Sequence, residues 1–166
     1  MDDKYITIGK STNVLKIKIK TDEGNYTGET LEFNLKDIEL LERLDKMWNE
    51  THKNKQWIQD QLTIIDKKQD FQPKNSFMSN NEKAKYQALK SFYKKQKELY
   101  DLFLGEGGVD KILNGRAFEW ETLVEIEKII DEQIAPYLDI TMTNIQKEIR
   151  EKYKSNDKGN VLKEDE

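Results

Sequence analysis

The sequence predicts an α+β fold that is mainly helical, with an N-terminal β-hairpin packed on a bundle of three or four helices. Between Val14 and Leu35, apolar residues alternate with polar ones, as they do in half-buried strands. From Asn34 onward the apolar period changes to three or four residues, which is the spacing of amphipathic helices. A chain of 166 residues is long enough to bury one core, so we expect a single domain over residues 1–138.

The hairpin is predicted at residues 14–35. Leu15, Ile17 and Ile19 share one face of the first strand, and lysines occupy the opposite face. The turn residues of TDEGNYTGET separate this strand from the second one. The segment YITIG at residues 5–9 favours extended backbone, so the sheet has two or three strands. Because such a small sheet has open edges and an apolar face that needs cover, we expect self-association.

Helices are predicted at about 36–66, 82–104 and 118–134. The first is capped by Asn34 or Asp37, and the polar interval NETHKNK leaves open whether it is one helix or two with a bend. The second has the strongest apolar stripe in the chain. Pro136 is expected to end or kink the third helix.

The remaining segments are more polar. Residues 67–81 contain Pro73 and no apolar period, which predicts a loop that is mobile or involved in binding. Ile145, Ile149 and Tyr153 indicate a weak polar helix at 139–154. Residues 155–166 are predicted to be a disordered tail.

The composition argues against several functional classes. The chain has no cysteine and one histidine, His52, so disulfides, thiolate or histidine-cluster metal sites and histidine-based triads are excluded. The 28 basic and 32 acidic residues are interleaved along the sequence, which argues against nucleic-acid binding. No stretch approaches the length of an apolar membrane span. We therefore expect a cytoplasmic chain that is not an enzyme and does not enter a membrane. We also expect it to bind no cofactor, metal or nucleic acid. The sequence does not exclude a pair of carboxylates that acts as a catalytic acid and base.

The stretch DLFLGEGGVDKILNGR, residues 101–116, raises the question of a phosphate-binding loop. Such a loop follows a strand and ends in Lys and Ser or Thr at the start of a helix. Here a helix precedes the glycines, and Glu106 would put a carboxylate where a phosphate should bind. The stretch instead indicates a joint in which Gly105 ends one helix in a left-handed conformation and Asn114 with Gly115 closes a short second one.

Aromatic residues on the predicted helices are candidates for binding a protein partner. Trp48 and Trp57 are nine residues apart and serve as core or interface anchors. Phe92, Tyr93 and Tyr100 belong to the aromatic stripe of the second long helix. These five residues are the candidate partner-binding set.

Two motifs together resemble a family of small proteins encoded by siphophages of Gram-positive bacteria, the tail assembly chaperones. The first is an acidic entry to a helix after the hairpin, matched by Glu42, Arg43, Leu44 and Asp45. The second resembles FGEGT...KIFG, and the matching residues are Phe103, Gly105, Glu106, Gly107, Lys111, Ile112 and Gly115. The chain departs from this pattern at Leu104, at Gly108 and at Leu113–Asn114.

The resemblance covers residues 14–138 and implies a non-catalytic function. A member of that family would bind the tape measure protein in the cytoplasm of the bacterial host while the phage tail assembles, and it would be absent from the finished virion. A structural protein of the tail or of the head-to-tail connection is the alternative. An enzyme or regulator from a mobile element is a third alternative.

Overall fold

The computed structural model describes residues 14–164, and side chains over residues 14–152. The element order is a hairpin followed by five α-helices, with a short π-helical segment before the last of them. This confirms the α+β, mainly helical fold class. The third strand predicted at residues 5–9 lies outside the described residues.

The hairpin consists of β1, Val14–Lys20, and β2, Tyr26–Asn34, paired antiparallel. Leu15 lies opposite Phe33 and Ile17 opposite Leu31, so the apolar side chains share one face as the alternation predicts. Leu31 and Phe33 are buried, and the Phe33 ring stacks on Phe103 with ring centroids 5.4 Å apart. The helices therefore cover the apolar face of the hairpin.

Two long helices form the centre of the fold. Helix α1, Ile38–Asp66, is one continuous helix, and the side chain of Asp37 caps its start by accepting a hydrogen bond from the Glu39 N–H. Helix α2, Asn80–Leu104, begins with a capping box formed by Ser79 and Glu82. Buried side chains of both helices meet in one core, among them Met47, Ile58, Phe92 and Leu99.

The C-terminal part adds α3, Gly108–Leu113, and α4, Trp120–Ile129. A π-helical segment, Ile130–Ile134, joins α4 to α5, Ala135–Glu164. The core cluster extends to Leu138.

Pro136 was expected to end or kink the helix. The helical path continues through it, so Pro136 does not end the helix, and the kink stays a prediction. Proline lacks an N–H, and in a regular helix its ring collides with the carbonyl four residues earlier. Directly before it, the Ala135 N–H bonds to the carbonyl of Ile130 in a wider π turn, which accommodates the proline.

The predicted polar helix at 139–154 is part of α5. The backbone of α5 is helical to Glu164, and the disordered tail predicted for residues 155–166 stays a prediction.

Candidate protein-docking surfaces

The glycine stretch forms a joint between α2 and α3. Gly105 has φ +96° and ψ 164°, so its φ is positive as expected, but its ψ is extended rather than left-handed helical. Essentially only glycine adopts this conformation. The left-handed helical conformation belongs instead to Gly107 before α3 and to Asn114 after it.

Backbone N–H groups of this joint are bonded within the chain. The Gly105 N–H donates to the carbonyl of Asp101, and the Val109 N–H donates to Oδ1 of Asp101, both at 2.9 Å. The Gly108 N–H bonds to the carbonyl of Gly105 at 3.0 Å. Burial raises the pKa of Asp101. With these donors occupied and a carboxylate beside them, the stretch has the geometry of a helix joint and not that of an anion cradle.

The motif residues differ in exposure. Phe103 and Ile112 are buried, and Phe103 contacts the hairpin by stacking on Phe33. Gly105, Glu106 and Gly115 are exposed, and Gly107 and Lys111 are half-buried. The motif thus fixes the angle between α2 and α3 and attaches the hairpin to this joint.

Of the five candidate partner-binding residues, only Trp57 is exposed, with 40% of its surface accessible. Phe92 and Tyr100 lie in the core with 1% and 0% exposure. Trp48 and Tyr93 are half-buried, and Tyr93 packs edge-on against Phe92. In the folded monomer, Phe92 and Tyr100 therefore stabilise the core and are not available at its surface.

Sequence reasoning missed a buried polar network between α1 and α2. The side-chain amide of Asn54 donates to Oε1 of Gln96 at 3.0 Å and to the carbonyl of Phe92 at 3.2 Å. The amide of Gln96 donates to Oγ1 of Thr51 at 2.8 Å. Thr51 and Asn54 lie between Met47 and Ile58 at spacings of four, three and four residues, so all four share one face of α1. Two polar residues on an otherwise apolar face were the sequence signal that could have indicated this network.

A second set of polar side chains links α4 to the two long helices. The Tyr100 hydroxyl donates to Oε1 of Glu127 at 2.5 Å, and Nζ of Lys55 donates to Oε2 of the same carboxylate at 2.8 Å. Lys55 also lies over the Trp120 ring, 5.7 Å from its centroid. Burial, together with the bond to Glu127, raises the pKa of Tyr100 well above its usual range.

The loop between α1 and α2 exposes two phenylalanines on a backbone held by hydrogen bonds. The side-chain amide of Asn81 donates to the carbonyls of Ile65 and Lys68, and its N–H donates to Oδ1 of Asp70. The pKa of Asp70 is lowered mainly by this hydrogen bond from the Asn81 N–H, and to a smaller extent by a hydrogen bond from the Ser79 hydroxyl.

Phe77 is 98% exposed and Phe71 60% exposed. Trp57 and Ile64, seven residues apart on one face of α1, are also exposed toward this end of the helix pair. We call these four residues the loop-end surface, a name that refers to their place in the chain, in the C-terminal half of α1 and in the loop that follows it.

Small-molecule sites are less developed than this surface. A cavity of about 190 Å³ lies between the hairpin turn and the α3–α4 region, and Arg116 and Glu125 in its wall bind each other through two N–H···O contacts of 2.9 and 3.1 Å. Within residues 14–152, whose side chains the structure describes, no group of three His, Cys, Asp or Glu side chains is arranged to hold a metal ion. In the same range, no helix has the length and hydropathy needed to cross a bilayer.

Comparison of the chain with protein-family models, with curated proteins and with solved structures gave no match.

Proposed function

We propose that this chain is a non-catalytic tail assembly chaperone of a siphophage or prophage, acting in the cytoplasm of a bacterial host. The proposal originates in the resemblance of its hairpin-to-helix entry and of the Phe103–Gly115 stretch to that family. Its partner would be the tape measure protein, a long helical chain that aggregates when it is left uncovered.

The observation that supports a protein-binding function best is the loop-end surface. An almost fully exposed phenylalanine such as Phe77 is costly to leave in water, because burying a side chain of this size contributes roughly 1.5–3 kcal/mol. The Asn80 N–H bonds to the carbonyl of Phe71, and the Ser76 hydroxyl bonds to the carbonyl of Met78. These bonds hold the backbone next to both phenylalanines before a partner arrives, which reduces the conformational entropy lost on binding. Large exposed aromatic side chains on a fixed backbone are typical of interface anchors.

The proposal is tested by co-expression with the tape measure protein encoded in the same genome. Wild-type chain is expected to keep that protein soluble and to co-purify with it. The Phe71→Ser and Phe77→Ser double variant is expected to lose this effect while retaining the wild-type melting temperature. The matched control, Ile140→Ser with Ile149→Ser, removes two other exposed apolar side chains and is expected to behave as wild type.

A tape measure protein that is equally insoluble with and without this chain would refute the proposal. Analysis of purified virions distinguishes the chaperone from the structural alternative, since a structural subunit is present in the virion in a fixed copy number.

Self-association also remains a prediction. Of its two original reasons, the apolar face of the hairpin is covered by the helices, whereas the two-stranded sheet of the described residues keeps its open edges.

A further inference from the structure

We infer that two copies of this chain associate by placing a basic face of α2 against an acidic face of α4 and the π-helical segment. The contact uses different residues from the loop-end surface and does not depend on tape measure binding.

Helix α2 has an unusual distribution of charge for a chain with a net charge of −4. Between residues 83 and 97 it carries six lysines and no acidic residue. Two of these are neutralised inside the chain, Lys85 by Asp66 and Lys97 by Asp110. The other four are exposed and form no ion pair within the described part of the chain: Lys83, Lys90, Lys94 and Lys95.

Three of these lysines lie on one face of α2. Lys83, Tyr86, Lys90 and Lys94 are separated by three, four and four residues, so they share one face over about 16 Å. Tyr86 is 51% exposed and adds an aromatic surface between the charges. We call these four residues the basic stripe.

The opposite charge is concentrated on the C-terminal side of the fold. The segment Trp120–Ile134 carries five acidic residues and a single lysine, Lys128. Glu125 is paired with Arg116, and Glu127 with Lys55. Glu121, Asp131 and Glu132 are exposed and form no ion pair among the described residues.

Exposed apolar side chains accompany these carboxylates. Trp120 is 51% exposed and Val124, one turn later, is 46% exposed. The distance along the helix axis from Glu121 to Asp131 is about 15 Å, close to the length of the basic stripe. We call Trp120, Glu121, Val124, Asp131 and Glu132 the acidic stripe. The exposed Lys128 lies on the same side of the helix, one turn after Val124, so this side carries an excess of two negative charges.

The two stripes fit each other in sign, length and apolar content, which identifies a second copy of this chain as the occupant. Lysine stems can lie on the Trp120 ring and on Val124 while their ammonium groups reach the carboxylates. In a two-fold dimer, α2 of each copy contacts α4 of the other, so both stripes are used twice and the assembly closes. Salt screens the attraction between exposed opposite charges, so it is expected to weaken this contact.

Sedimentation velocity of the full chain tests the inference. At about 50 mM salt the wild type is expected to reach twice its monomer mass of 19.7 kDa as its concentration rises, and at about 500 mM salt to dissociate. Two variants carry reversed charges. The α2 variant has Lys83→Glu, Lys90→Glu and Lys94→Glu, and the α4 variant has Glu121→Lys, Asp131→Lys and Glu132→Lys.

Each variant alone is expected to dimerise at least about 100-fold more weakly, because it sets like charges against each other. Mixing the two variants restores opposite charges at both contacts and is expected to yield a heterodimer. The control Lys36→Glu, Lys46→Glu and Lys147→Glu makes the same charge change at exposed positions elsewhere and is expected to dimerise as wild type. Far-UV circular dichroism verifies that every variant is folded.

Any of three results would overturn the inference. They are a wild type that stays monomeric at low salt, an α2 variant that dimerises like the wild type, and a mixture of the two variants that stays monomeric. A monomeric wild type that instead binds a synthetic acidic helical peptide would show that the basic stripe serves a different partner. The co-expression test of chaperone function does not depend on any of these outcomes.

Discussion

Replacing Gly105 with Val tests the assignment of the glycine stretch as a helix joint. A Cβ built on Gly105 meets nothing within 4 Å, so the substitution causes no collision. The whole cost arises from the backbone, since φ +96° with ψ 164° is a conformation that side-chain-bearing residues avoid. Holding a residue in such a conformation costs about 1–3 kcal/mol, which lowers the melting temperature of a domain of this size by about 3–9 °C.

Urea and thermal unfolding followed by far-UV circular dichroism measure this loss. Glu106→Val is the matched control, because Glu106 is exposed, lies in the same turn and does not have a positive φ. We expect the control to change the free energy of unfolding by less than about 0.5 kcal/mol. Equal unfolding of the two variants would refute the backbone argument. A rise in the melting temperature of the wild type with nucleotide and magnesium would refute the helix-joint assignment itself.

Three further predictions concern polar groups that are buried or half-buried. Gln96→Ala removes the donor that bonds to the Thr51 hydroxyl and one of the two acceptors of the Asn54 amide, and we expect urea unfolding to show a loss of about 1–3 kcal/mol that the exposed Gln59→Ala control lacks. Because the folded state raises the pKa of Tyr100, its contribution to stability is complete below the unfolded value of about 10 and is lost as pH rises above it. We expect the free energy of unfolding to fall above about pH 10 by up to about 1.4 kcal/mol per pH unit, and less steeply in Tyr100→Phe. Asp101→Asn keeps the acceptor for Val109 and removes a carboxylate whose charge burial disfavours, so we expect a higher melting temperature at neutral pH.

Each of these predictions has a contradicting result. Equal losses in Gln96→Ala and in its exposed control would mean that the network contributes nothing. Identical pH dependence in the wild type and Tyr100→Phe would remove Tyr100 as the cause. A lower melting temperature for Asp101→Asn would mean that the charge of Asp101 stabilises the joint.

Local sequence patterns predicted those elements that depend on residues close together in the sequence. The change of apolar period separated the hairpin from the helices, and Asp37 marked the start of α1, because both depend on residues that are close in sequence. The course of the chain at Pro136 was not predictable in this way, since a single wider turn before the proline decides it. Secondary-structure patterns alone also cannot show which helical faces remain uncovered.

The candidate surfaces were predicted less well than the fold. Phe92 and Tyr100 were expected to bind a partner, but the same apolar stripe that made them conspicuous places them in the core. Phe77, in a loop without any period, is the most exposed large hydrophobic side chain among the described residues. The charges are interleaved over the whole sequence, and their separation into the basic and acidic stripes becomes evident only when residues are grouped by helix face.

The most direct test of the proposed function is an affinity purification of the tagged chain from cells in which the phage is assembling. Quantitative mass spectrometry of the purified material measures the tape measure protein against an untagged control. The chaperone assignment predicts strong enrichment of the tape measure protein, which the Phe71→Ser and Phe77→Ser double variant abolishes. A tape measure protein no more abundant than in the untagged control would contradict the assignment.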